Sequence, residues 1–309
     1  MSERLRFRLE PLRPYSLTLT AERYGRFADA VDRVEEGRYR RLLDLAGELV
    51  LLSVGQEGSP ARATLQVELV GKGARRAAVR RAAESFVRGV LGAGCDVRPF
   101  YRDMRDDSVI GPAIRSARGL RVAGAASLFE CLVTAILAQQ LSLTFAYAIR
   151  SELARAYGRP RRIDGERWVA FPTPKRMASV DVETLRSFKL SNAKANAVSS
   201  VARACAAGEL VEEELVRLDD EAVIERLSAY KGIGRWTAEM VLLRGLMRPD
   251  VFPAGDLGVI RYIAQGLLGR KERAREDEMR RFSERWRPHR SLALVYAYAE
   301  LRRRESQQE

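Results

Sequence analysis

The chain has 309 residues, 46% of them hydrophobic and 31% charged, and 54 Lys+Arg against 41 Asp+Glu leave a net charge of +13 and a pI near 10.1. That length predicts more than one domain with a large buried core, and the composition excludes a disordered chain; no apolar run approaches the ~20 residues that span a bilayer, so no membrane partner is expected. A single histidine, His289, and three widely spaced cysteines, Cys95, Cys131 and Cys205, exclude a His-pair mechanism, a disulfide framework and a zinc or iron–sulfur ligand set. No cofactor is expected, a general base is expected to be a carboxylate, and the positive charge favours a polyanion, nucleic acid first.

In chain order, residues 1–13 alternate charge with Leu and Phe and lack the continuous apolar stretch of an export signal, which predicts a reducing, cytoplasmic home. Leu17 and Leu19 alternate with Thr18 and Thr20, 49–54 is an apolar run and 64–70 alternates, so these segments predict strands of an antiparallel sheet, with Gly55, Gly58 and Pro60 in a connection. Residues 74–91 carry Val79, Ala82, Phe86 and Val90 at helical spacing before Gly92 and Gly94. The stretch 96–124 has Pro99, Pro112, Gly119 and Gly124 and little periodicity, and a boundary is placed there. The expected organisation is mixed α+β: a sheet domain over 1–115, then a mostly helical unit over 116–309 without strands beyond residue 128 and with a polar tail at 302–309.

Within the helical unit, Phe129, Leu132, Val133, Ile136 and Leu137 form one apolar stripe that continues past Gln139 and Gln140, and Phe171-Pro-Thr-Pro174 breaks the chain before the next helix. Ala222, Val223, Ile224, Leu227 and Tyr230 suit a helix; Lys231-Gly-Ile-Gly-Arg-Trp236 interrupts it; Ala238, Val241, Leu242 and Leu246 resume it. Two glycines one residue apart permit positive φ and expose amide groups at the start of the second helix, where the helix dipole also favours an anion. This suits grip on a phosphate, although an ordinary helix–helix turn has the same pattern. Asp256, on a Gly-preceded loop before Leu257, Val259 and Ile260, reads either as a helix N-cap or as a functional carboxylate, and both roles can coexist.

These residues carry a resemblance. Lys231-Gly-Ile-Gly-Arg-Trp-Thr-Ala238, its spacing to Val251-Phe252 and Asp256, and Trp286-Arg-Pro-His-Arg-Ser-Leu-Ala293 together resemble the helix-hairpin-helix DNA glycosylases of the alkylation-repair branch, the 3-methyladenine DNA glycosylase II type. The segment 129–140 resembles that family's first core helix, Phe171-Pro-Thr-Pro174 its interdomain linker, and Arg13-Pro-Tyr15 with Tyr39-Arg-Arg-Leu-Leu43 its small amino-terminal sheet domain.

The resemblance implies a sheet domain followed by a two-subdomain helical core with the active-site cleft between the subdomains. It implies hydrolytic excision of alkylated purines of the 3-methyladenine and 7-methylguanine type from double-stranded DNA, after nucleotide flipping. Asp256 falls on the family's essential aspartate, which stabilises the oxocarbenium-like sugar. Gly232, Ile233 and Gly234 fall on the hairpin, which often binds a monovalent cation through its backbone, flanked by Lys231 and Arg235. Trp236 and Tyr298 fall on pocket aromatics, for which core packing is the alternative.

Met240 stands where the best-known relative has an aromatic pocket residue, and Lys231 replaces a proline. Gln139, Gln140 and Leu141 fall where a wedge fills the gap left by the flipped base, with burial as their alternative. Strand-cleaving relatives carry a Schiff-base lysine at the position of Trp236, so no lyase activity is expected. A nucleoid-associated monomer is expected. The competing readings are a glycosylase for oxidised or deaminated bases and a non-catalytic DNA-binding protein.

Overall fold

The computed structural model of the protein describes residues 3–269 and 272–306. The first and last residues of the amino-terminal segment and polar tail, 1–2 and 307–309, lie outside the described residues. Strands β1 (Arg4–Leu9), β2 (Asp32–Glu35), β3 (Arg38–Leu45), β4 (Glu48–Glu57) and β5 (Thr64–Val70) form one antiparallel sheet in the order β1-β5-β4-β3-β2. The runs at 49–54 and 64–70 pair as expected, with Leu52 opposite Leu69 and Val54 opposite Val67. One face buries Val50, Leu52, Val54, Leu65 and Val67 beneath helices α1 (Leu17–Gly25) and α2 (Ala77–Gly89).

Leu17 to Thr20 corrects the sequence reading, for it opens α1 instead of a strand. The hydroxyl of Ser16 caps it by accepting from Leu19 N at 3.3 Å, and this local cap outweighs a two-cycle alternation. The aperiodic stretch after α2 holds two short helices, α3 (Arg98–Met104) and α4 (Ile110–Ser116), and α4 packs on the carboxy-terminal helix. Residues 97–117 thus contribute Val97, Phe100, Ile110 and Ala113 to the helical core.

That core comprises α5 (Leu128–Ala138), α6 (Leu143–Tyr157), α7 (Pro174–Ala178), α8 (Val182–Arg186), α9 (Asn192–Ala207), α10 (Glu212–Arg217), α11 (Asp220–Ser228), α12 (Arg235–Arg244), a π-helical segment (Val259–Leu267), α13 (Glu276–Ser283) and α14 (Arg290–Glu305). Residues 302–305 of the expected polar tail are therefore the last turn of α14. The absence of strands beyond residue 128 is overturned by a hairpin, β6 (Arg159–Ile163) and β7 (Glu166–Ala170), turning at Asp164-Gly165. Four of its ten residues are arginines, so no alternation shows, yet Ile163, Trp168 and Ala170 bury against Leu42, Leu51 and Val70 on the second sheet face.

A buried ion cluster stitches sheet to helices. Arg41 (β3) donates to Asp32 Oδ1 at 2.8 Å and to Glu130 of α5; Arg150 of α6 donates to Asp32 Oδ2 at 3.0 Å, to Asp29 and to Glu130; and the Tyr39 hydroxyl donates to Asp32 at 2.6 Å. Arg121, fully buried, adds donors to the carbonyls of Leu12 and Pro14 at 2.8 and 2.7 Å. No described helix is long and apolar enough to cross a membrane.

Candidate active site

The site is assembled at one turn and one loop. Between α11 and α12 the chain reverses through Lys231-Gly-Ile-Gly234, and only the first glycine uses the left-handed region, with Gly232 at φ +92°. A Cβ there would stand 2.8 Å from the Ala197 methyl of α9, so this turn is pressed onto a neighbouring helix. Gly234, expected to share the positive φ, is extended and serves as N-cap of α12, with nothing within 4 Å of where its Cβ would be. Its role is open access to the first amides of α12, which have no acceptor inside the helix. Ile233 is the buried anchor of the turn and Lys231 is exposed.

The stripe of α5 stops at Ala138, short of the sequence expectation. Gln139 is its C-cap, Gln140 takes φ +54° and Leu141 is 38% exposed, which overturns the buried-core alternative for that leucine. Gln139 Nε2 donates to the Gly232 carbonyl and to Thr237 Oγ1, each at 2.9 Å, so the end of α5 is bonded to the hairpin. Lys194, which no sequence signal singled out, donates to the carbonyls of Leu137 and Gln139 at 2.8 and 2.6 Å and closes the helix end. Arg235 is engaged by Glu221 and by the buried Glu239, which also accepts from Arg280 at 3.0 Å.

Asp256 sits behind this hairpin, half-buried, on the loop that follows Phe252. Its Oδ1 accepts from Gly258 N at 2.8 Å and Val259 N at 3.3 Å, the bonds of a helix cap. The same oxygen accepts from the Tyr298 hydroxyl at 3.0 Å, and Oδ2 accepts from Trp236 Nε1 at 2.8 Å. Trp236 comes from the first turn of α12 and Tyr298 from the middle of α14, 20 and 42 residues away. Burial, then the adjacent carboxylate, hold the Tyr298 phenol well above its ordinary pKa, so it stays a donor. The four donors that the described residues place on Asp256 are formally neutral, so they orient its carboxylate without cancelling its charge.

Met240 lies one turn beyond Trp236, half-buried against the helical core, with its carbonyl accepting from Cys131 Sγ at 3.7 Å. Arg244, one turn further, donates to the Ala123 carbonyl at 2.7 Å; burial and then the charge of Arg23 push its pKa down. His289 stands apart, bonded to Asp103 at 2.9 Å. A cleft of about 480 Å³ lies elsewhere, lined by Tyr24, Phe27, Arg155 and Arg167, but its carboxylates Asp29, Asp32 and Glu35 are engaged by Arg150, Arg41 and Arg40.

Residues 133–288, which span the hairpin and Asp256, match the HhH-GPD superfamily base excision DNA repair protein family, and residues 6–127 match the AlkA N-terminal domain. The chain belongs to the HhH-GPD superfamily of base excision DNA repair proteins. Among HhH-GPD relatives it is similar to the DNA-3-methyladenine glycosylase of Bacillus subtilis, 32% identical over 66% of this chain and 67% of that protein. It is also similar to DNA-3-methyladenine glycosylase 2 of Escherichia coli, 34% identical over 58% of this chain and 60% of that relative, so the latter alignment spans less than two thirds of the protein it matches. The solved 3-methyladenine DNA glycosylase of Archaeoglobus fulgidus superposes with a TM-score of 0.80 at 28% identity, covering 96% of this chain and 98% of that one.

Proposed function

We propose that this protein is a monofunctional DNA glycosylase that binds damaged double-stranded DNA as a monomer, flips an alkylated purine of the 3-methyladenine or 7-methylguanine type out of the stack and hydrolyses its glycosidic bond. The observation that carries the reading is Asp256 held between the indole N–H of Trp236 and the hydroxyl of Tyr298, behind a hairpin that exposes amides to a phosphate. A carboxylate about 4 Å from the developing sugar cation supplies roughly 4 kcal/mol at an effective dielectric near 20, about a thousandfold in rate. That assistance suits a purine already made cationic by alkylation, whose bond is weakened before the enzyme acts, and the faces of Trp236 and Tyr298 attract such a cation.

Lysine-dependent strand cleavage needs an amine nucleophile, and position 236 carries an indole whose N–H is committed to Asp256. The exposed Leu141 and the positive-φ Gln140 suit the gap left in the duplex, and the amides of α12 beside Lys231 suit the backbone phosphate, with a monovalent cation at the carbonyls of the Gly232–Gly234 turn. The test is incubation of the purified protein with duplex DNA carrying radiolabelled 3-methyladenine and 7-methylguanine. Release of free base, with strand breakage only after alkali, is expected. No release of either base overturns the alkylpurine reading, and a borohydride-trapped DNA adduct overturns the monofunctional one.

A further inference from the structure

Position 258 lies two residues beyond Asp256 and caps the π-helical segment with φ −65° and ψ −40°, an ordinary helical conformation that any residue adopts. Backbone geometry therefore does not call for glycine here, and glycine costs a helix about 1 kcal/mol relative to alanine. What the position does lack is room. A Cβ at 258 would stand 2.4 Å from the Tyr298 hydroxyl oxygen, 3.2 Å from Tyr298 Cζ and 2.8 Å from Asp256 Oδ1. The first and last are far inside the ~3.5 Å of an ordinary nonbonded contact. The atoms that would have to yield are the two partners of the 3.0 Å hydrogen bond between Tyr298 and Asp256, both at the free ends of side chains.

We infer that Gly258 is a positioning residue whose missing side chain leaves the space through which the Tyr298 hydroxyl reaches Asp256. It acts twice on the carboxylate: its own amide donates to Oδ1 at 2.8 Å, and its bare Cα admits the phenol to the same oxygen. Oδ1 is thereby turned toward Gly258, Val259 and Tyr298, and Oδ2 toward Trp236, which fixes the plane of the carboxylate. Tyr298 accordingly serves through its hydroxyl as well as its ring. A methyl group at 258 keeps the amide donor, removes the phenol bond and presses on Asp256 Oδ1 itself.

The inference rests on the reading of Asp256 as the group that stabilises the sugar cation, and its test separates the two. Single-turnover release of 7-methylguanine is measured for the parent enzyme, Gly258→Ala, Tyr298→Phe and the double variant. Each single change is expected to slow release about tenfold, the loss of one hydrogen bond to a charged group. Because phenylalanine has no oxygen for the methyl to meet, Gly258→Ala is expected to slow the Tyr298→Phe enzyme less than it slows the parent, the remainder coming from the methyl's own 2.8 Å approach to Asp256 Oδ1.

The melting temperature of Gly258→Ala is expected to stay within a few degrees of the parent's, since the better helix propensity of alanine offsets part of the lost phenol hydrogen bond. Losses that multiply, or a Gly258→Ala enzyme as fast as the parent, overturn the inference. A crystal structure of Gly258→Ala reads the contact without turnover. A hydroxyl beyond about 3.5 Å from Asp256 supports the inference even if the parent releases no base, and one still within bonding distance overturns it.

Discussion

At the seam between sheet and helices, Asp29, Asp32 and Glu130 face the guanidinium groups of Arg41 and Arg150; behind the hairpin, Asp256 faces an indole, a phenol and two backbone amides. Both regions remove carboxylates from bulk water, and they satisfy them with donors of opposite kind. Cationic partners offset most of the charge and lock sheet and helices together, with every carboxylate engaged by a guanidinium. Neutral donors fix the orientation of the carboxylate while its field continues outward, available, on the proposed function, to the sugar cation that forms during base excision. The charge state of the donors, more than burial, separates a structural carboxylate from one able to act on a substrate.

The largest expected effect breaks the active-site half of this comparison. Asp256→Asn keeps an oxygen for the amides of Gly258 and Val259 and removes the charge, so single-turnover base release is expected to fall about a thousandfold while the Trp236 N–H, left without its acceptor, costs only about 1–3 kcal/mol of stability. A cap-only role predicts the reverse, with turnover largely retained.

At the seam the pattern inverts. Arg150→Met strips a cation from three buried carboxylates and is expected to cost about 3–5 kcal/mol in urea unfolding, with base release per folded molecule unchanged. A loss of turnover at full folding would show that the two regions are not independent.

The smallest effect is in acid. Burial pushes the Asp32 carboxyl up, but Arg41, Arg150 and the Tyr39 hydroxyl pull it further down, to about 2. A carboxyl depressed in the folded state contributes stability that is complete above its ordinary value near 4 and is lost as pH falls toward 2. This group alone accounts for about 2 kcal/mol, partly offset by Asp29, which burial shifts upward. Urea midpoints measured from pH 5 down to pH 2 are expected to fall mainly below pH 4. In the Arg150→Met protein the decline is expected to be shallower.

Elements whose stabilising contacts are close in sequence were legible. The alternation at 64–70 marked β5, and the Gly-x-Gly spacing marked the turn between α11 and α12. Elements settled by distant contacts were not. The hairpin at 159–170 is held by Ile163 and Trp168 packing on Leu42 and Leu51, more than a hundred residues away, and its arginines hide any strand pattern. Leu17 to Thr20 misled because a four-residue alternation is weaker than the Ser16 cap beside it. Helices α3 and α4 are too short for periodicity to declare, and packing on α14 stabilises α4.

For the site, the sequence by itself determined the identity of Asp256, its place after the hairpin and the absence of a lysine at 236, because these are matters of residue type and local spacing. Only the tertiary structure decided what surrounds that carboxylate. The indole from α12, the phenol from α14 and the bare Cα of Gly258 converge on two oxygens because helix packing brings together residues that no local period relates. Hydrogen bonds act over about 3 Å in space, whatever the distance along the chain.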